Sequence, residues 1–142
     1  MKAKAVCVMR TDLRNSDGHK VPKGKLIAQG GHAFVGMLTK LMGTVLTFDP
    51  DEYYDEKTLY CRHGGALYEW LRGSFTKVVL GVDSEEELLS IYAAVKKAGF
   101  NAVLITDNGL TEFHEPTNTC IGIGPDWEDK IDAITGHLKG FQ

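Results

Sequence analysis

Phe75 to Thr106 reads FTKVVLGVDSEEELLSIYAAVKKAGFNAVLIT, and its three parts decide the fold. Phe75 to Val82 is a β-rich apolar run and predicts a strand. Ser84-Glu85-Glu86-Glu87 is a capping box, in which the serine and the third glutamate satisfy free amides at a helix start. Leu88, Ile91, Val95 and Ala98 follow at core spacing. Lys96 and Lys97 suit the last turn, and Gly99 stops the helix. Ala102 to Thr106 is again strand-like. A strand, a helix and a strand in this order predict a right-handed parallel crossover, hence an α/β layered domain.

Downstream, Asp107-Asn108-Gly109 is a turn. The link to Pro116 leaves no room for a helix, so the next strand, Thr119 to Ile123, should run antiparallel and make the sheet mixed. Gly124-Pro125 then opens a last helix with Trp127, Ile131, Ile134 and Leu138 on one face, closing near His137, Lys139 and Gly140. Upstream, Lys4 to Arg10 predicts a buried strand and Thr11 to Lys23 a loop. A helix follows from Gly24 to about Met42 or Gly43. Its residues Lys25, Gln29, His32 and Gly36 share one face. Ile27, Phe34, Leu38 and Leu41 form a second, apolar stripe. Gly30-Gly31 costs about 1 kcal/mol per glycine inside a helix, which points to close packing at that place. Thr44 to Gly65 reads as an irregular excursion with a turn at Asp49-Pro50-Asp51. Ala66 to Arg72 is a short helix. The expected whole is one domain over residues 1–142, three α/β/α layers around a mixed four-stranded sheet.

The composition is 43% hydrophobic and 25% charged, that of an ordinary globular protein. No apolar run is long enough to span a membrane, and the Ala5–Met9 run is too short for a secretory signal. Cys7, Cys61 and Cys120 form no Cys-x-x-Cys pair, which disfavours a disulfide framework or a zinc site and suits a reducing cytoplasm. The net charge of −3 is unevenly spread. Residues 1–40 carry eight basic and two acidic side chains, a net of +6, and the remainder is −9. A basic end on an acidic body can steer a polyanion to one face. A solvated surface without a partner is the alternative.

Two stretches carry candidate chemistry. The first is Gly24 to Ala33, with Lys25 near a helix start. The second is Asp107 to Glu112 with Pro116 to Thr119, beyond the carboxyl end of a strand, where open α/β sheets place their sites. Gly122-Ile123-Gly124 is no dinucleotide fingerprint, because it ends a strand before a proline. On residues alone, Asp107 can equally be a turn aspartate, Lys25 a surface lysine and His32 a packing histidine.

Arg10-Thr11-Asp12-Leu13, Gly24-Lys25 with Gln29 and His32-Ala33, Asp107 to Thr111, Gly122 to Pro125 and Thr135-Gly136-His137-Leu138 occur in this order. Together they resemble peptidyl-tRNA hydrolase type II, the archaeal and eukaryotic kind. The resemblance covers most of the chain. It implies cleavage of the ester joining a peptide to the 3′ end of tRNA, with no metal or organic cofactor. It also implies a cytoplasmic homodimer that acts on peptidyl-tRNA and engages neither membrane nor DNA. By position, the catalytic group falls on Lys25, Asp107, Thr111 and Thr119. Thr117, Gln29 and His32 are substrate-binding neighbours. Lys20 and Lys23 lie in extra length before Gly24 that matches no family motif; they are read as further substrate contacts, with a harmless loop as the alternative.

These residue types suit the chemistry. An ester needs a positioned water, a carboxylate to deprotonate it and a cation near the developing oxyanion. Asp107 is read as the carboxylate that activates the water and Lys25 as the cation that neutralises the oxyanion or a phosphate, with Thr111 and Thr119 holding the water and the ester oxygens. Two departures stand out. Leu110 occupies a position where the family usually has arginine, and the chain is longer before Gly24 and between about Gly43 and Gly64. A non-catalytic tRNA-end or protein-binding module on the same fold is therefore the second reading. A cofactor-dependent α/β enzyme fits poorly, since no glycine-rich phosphate loop is present.

Overall fold

The computed structural model describes residues 1–48 and 53–142. Its main sheet has four strands: β1 (Ala3–Arg10), β4 (Thr76–Val82), β5 (Ala102–Asp107) and β6 (Thr117–Trp127), in the order β4-β1-β6-β5. β1 is parallel to β4, from Lys4 opposite Thr76 to Arg10 opposite Val82. β6 is antiparallel to both β1 and β5. The sheet is mixed, as expected. β4 and β5 point the same way but lie at opposite edges, so their connection passes over two intervening strands. The central run Ala5-Val6-Cys7-Val8 is fully buried, which suits a strand covered on both faces.

Among the described residues, four helices flank this sheet: α1 (Lys23–Leu41), α2 (Ala66–Arg72), α3 (Glu85–Lys97) and α4 (Glu128–Thr135). α3 begins as its capping residues dictate: Glu87 N donates to Ser84 Oγ at 3.0 Å. The Glu87 carboxylate reaches back to Asp83 N at 3.2 Å, one residue before the cap itself. One apolar cluster joins Val6, Val8, Ile121 and Ile123 to Leu88, Ile91 and Val95 of α3 and Ile131 of α4. Another joins Ala3 and Ala5 to Met37 of α1 and Trp70 of α2, with Trp127 packed against it. Among the described residues, no helix is long and apolar enough to cross a membrane.

Several expectations are corrected. β6 does not stop at Ile123. Lys4 still pairs with Asp126 and Ala3 with Trp127 after a register shift, so the ladder continues beyond Pro125. Proline donates no amide, and it sits where two residues of β6 oppose Ala5 of β1. α4 therefore starts only at Glu128 and ends at Thr135, and Trp127 faces the α1–α2 side rather than joining Ile131. The irregular excursion holds a hairpin, β2 (Gly43–Phe48) paired antiparallel with β3 (Tyr53–Thr58). Thr, Val, Phe and Tyr are strand formers, and acidic residues and a proline between them hid the pattern. The turn expected at Asp49-Pro50-Asp51 lies outside the described residues.

α1 keeps half of its apolar stripe: Phe34 and Leu38 pack against the core, while Ile27 and Leu41 are exposed. Its buried residues are Gln29, Gly30, Ala33 and Met37, while Ile27 is 75% exposed. The reason is a close approach made by small residues. A Cβ on Gly122 of β6 would run into the Ala33 carbonyl, and one on Gly36 would touch Val103 at 3.5 Å. At the expected tight spot, a Cβ on buried Gly30 would reach Met9 Cε at 4.0 Å, an ordinary contact, and one on Gly31 would meet nothing within 4 Å. Two substitutions should therefore move stability in opposite directions. Gly122→Ala overpacks the α1–β6 contact and should cost about 1–3 kcal/mol. Gly31→Ala meets no obstacle and should stabilise by up to about 1 kcal/mol through helix propensity. Urea unfolding of the two variants beside the parent measures both.

Candidate active site

α1 places Lys25 and Gln29 one turn apart, so both side chains leave the same flank of the helix. That flank faces the end of β5, where Asp107 is the last strand residue. Lys25 Nζ lies 2.7 Å from Asp107 Oδ2 and donates to Thr111 Oγ1 at 2.7 Å. Gln29 Nε2 donates to the same Asp107 Oδ2 at 3.0 Å. The Gly109 amide closes the turn on Asp107 Oδ1 at 2.9 Å. Gly109 needs its left-handed φ of +78°, and a Cβ there would lie 2.5 Å from the Glu115 backbone.

Thr119 enters from β6. The register slips between Ile105 and Thr106, so Thr119 is left without a partner on β5. Such slips re-aim side chains. Thr119 Oγ1 donates to Gln29 Oε1 at 2.6 Å, and this fixes the amide with its nitrogen toward Asp107. Thr119 is fully buried. Its hydroxyl therefore faces Gln29 inside the protein and not the exposed side of the group.

The charges are partly shielded: the Lys25 side chain is 18% exposed and that of Asp107 11%. Burial pushes the Asp107 carboxyl up, but bonds from Lys25, Gly109 and Gln29 outweigh it and hold the group below the ordinary carboxylate range. Three of the roughly four acceptor positions on this carboxylate are taken, which leaves one on Oδ1. Lys25 has three N–H donors, of which Asp107 and Thr111 take two. Thr111 is exposed and accepts from Lys25, so its own proton is available to a ligand. The arrangement can thus offer an acceptor for a water proton beside two donors for a developing oxyanion.

Other expected residues take no part in its hydrogen bonds. His32 is exposed on α1 and lines a shallow groove with Thr106, Asp107 and Asn108. Thr117 donates to Glu115 O at 2.9 Å and lines a second pocket with Arg10 and Arg14. Lys20 and Lys23 are exposed beside a third, again with Arg10 and Arg14.

Two supports escaped the sequence reading. Phe113, buried with Leu13, Val21 and Leu26, puts its ring centroid 5.9 Å from Lys25 Nζ. This cluster, with Ser16 N donating to Glu112 O at 2.9 Å, ties the loop before α1 to the loop after β5. A phenylalanine among polar loop residues was the available signal. Arg10 forks onto both Asp12 carboxylate oxygens at 2.9 Å and donates to Asn118 O at 3.0 Å. That fork raises the Arg10 pKa and lowers that of Asp12.

The family described as Peptidyl-tRNA hydrolase PTH2 matches residues 3–141. A peptidyl-tRNA hydrolase of Methanocaldococcus jannaschii is 38% identical over 136 residues, covering 96% of this chain and 97% of the relative. One from Methanothermobacter thermautotrophicus is 37% identical over 136 residues, with the same coverage. One from Methanopyrus kandleri is 36% identical over 135 residues and covers 95% of each chain. With a match over nearly its whole length and relatives this similar, the chain belongs to the peptidyl-tRNA hydrolase PTH2 family.

Proposed function

We infer that the protein hydrolyses the ester bond between a peptide, or an N-blocked amino acid, and the 3′ end of tRNA. The observation that carries this reading is the convergence of Lys25, Asp107 and Thr111 at one strand end, in a chain of this family. A water at the remaining Asp107 Oδ1 position gives up a proton as its oxygen attacks the ester carbonyl. Lys25 and Thr111 stabilise the oxyanion that forms. The carbonyl carbon then parts from the ribose oxygen, which takes a proton and leaves as the 3′ hydroxyl. Gln29 and Thr119 keep Asp107 and Lys25 in register. The chemistry draws on side chains and water alone.

The wider reading takes residues 1–142 as one domain of three layers, α1 and α2 over one sheet face and α3 and α4 over the other. It places the enzyme in the cytoplasm, where translation occurs. It also takes the protein as a homodimer. In support, an apolar groove of about 480 Å³ runs between α1 and β4 past Ile27, Phe34, Val79 and Phe141. Exposed apolar surface of this kind marks interaction sites.

The loop lysines supply the electrostatic part. Lys20→Ala combined with Lys23→Ala should weaken tRNA binding and flatten its salt dependence by about 1.5 in log–log slope, since fewer counterions are released. An unchanged slope means that this loop faces away from the tRNA.

Asp107→Asn is the test of the chemistry. It keeps shape but loses the proton acceptor, so turnover should fall by roughly 10²–10⁴. A melting transition like the parent's shows that the variant is folded. The parent's pH profile carries a second signature. A carboxylate held below its ordinary range stays ionised into acid, so activity should persist below the usual carboxylate pKa and fail only as pH drops through the depressed value. Near-parental turnover in folded Asp107→Asn reduces Asp107 to a turn residue.

A further inference from the structure

The two edges of the main sheet are treated differently. The β4 edge is covered by residues 139–141: Gly81 N donates to Lys139 O at 2.9 Å and Phe141 N to Val79 O at 3.0 Å. Among the described residues, β5 has a neighbour on one side only, β6. The hydrogen bonds show which of its backbone groups point outward. Asn101 O accepts from Gly124 N at 2.9 Å, so the backbone bonds at Asn101 are directed at β6. Direction alternates along a strand. Ala102 O therefore points away from β6, and Lys40 Nζ meets it there at 2.7 Å. Two residues on, the N–H and C=O of Leu104 also face outward.

An unpaired edge is a template for another strand, and proteins usually blunt it with lysine or cover it. Here Lys40 blunts the Ala102 end only. The other end runs into Asp107. A groove of about 360 Å³ follows the edge, lined by His32, Leu104, Ile105, Thr106, Asp107 and Asn108. The open stretch is thus continuous with the candidate active site.

We propose that the peptide of peptidyl-tRNA docks as an added strand on the outer edge of β5, parallel to it and bonded to the main chain of Leu104. The proposal deepens the hydrolase reading and rests on it. Direction follows from chemistry. The peptide's C-terminal carbonyl is the ester carbon and must lie at Lys25 and Asp107. A chain leaving that point along the edge heads toward Ala102 as it goes back to its N-terminus, which makes it parallel to β5. Reach follows from geometry: at about 3.3 Å per residue, Leu104 lies roughly 10 Å from Asp107, about three peptide residues. Main-chain bonding suits a substrate whose side chains vary without limit, because every peptide offers the same amides. His32, on the α1 wall of the groove, borders the docked strand.

The test uses the unaltered protein and peptidyl-tRNAs carrying one to five residues, with an N-methyl scan of the five-residue peptide. The specificity constant kcat/KM should rise with length up to about three residues and then level off. N-methylation should lower it roughly 2- to 10-fold at the amide that donates to Leu104 O, while neighbouring amides that face solvent are insensitive. Equal hydrolysis at all lengths, a flat scan, or a loss spread evenly over every amide overturns the docked strand and leaves the hydrolase reading intact. Failure to hydrolyse any of these substrates overturns both.

Discussion

Asp107 Oδ2 accepts hydrogen bonds from Lys25 and from Gln29, and the rest of the site depends on that shared oxygen. The two donors sit a turn apart on α1, and the acceptor ends β5. One carboxylate therefore sets the rotation of the helix over the sheet. The packing beneath agrees with it. Gly122 and Gly36 let α1 settle close against β6 and β5, and that closeness brings Gln29 within 2.6 Å of Thr119. A bulkier residue at Gly122 would lift the helix and part the donors from their acceptor.

The same bonds set a conflict within the chemistry. A carboxylate held by an ammonium, an amide and a backbone N–H is well placed but weakly basic. In the proposed mechanism its advantage is position: the remaining acceptor lies beside the two donors assigned to the forming oxyanion, which lowers the cost of reorganisation during reaction. An ester tolerates this arrangement because its leaving group departs readily compared with an amine. Phe113 and the linked loops contribute by keeping the ammonium partly out of water, where its attraction for developing negative charge is stronger.

How much was legible in the sequence depended on whether a signal was local. β1 and α3 followed from a buried run and a capping box, and the mixed sheet followed from a link too short for a helix. The inward face of α1 followed only at Phe34 and Leu38, because glycine and alanine make its closest contacts and carry no hydrophobic signature. The continuation of β6 past Pro125 was hidden by a residue that normally ends strands, and the hairpin by acidic residues and a proline. At the site, Lys25 and Gln29 share a face by simple helical spacing, and Asp107 lies where α/β sheets carry their chemistry. That the Thr119 hydroxyl faces Gln29 involves residues 90 apart in sequence and a register slip that no local pattern announces.

The central claim is that Lys25 and Asp107 act as one unit. The direct measurement is a double-mutant cycle on kcat/KM for peptidyl-tRNA hydrolysis, using Lys25→Ala, Asp107→Ala and the two combined. If the pair is a unit, the first loss removes most of what the second could, and the double variant should be little slower than the slower single one. Losses that multiply, so that each substitution costs the same factor in either background, would show two independent residues and contradict the account.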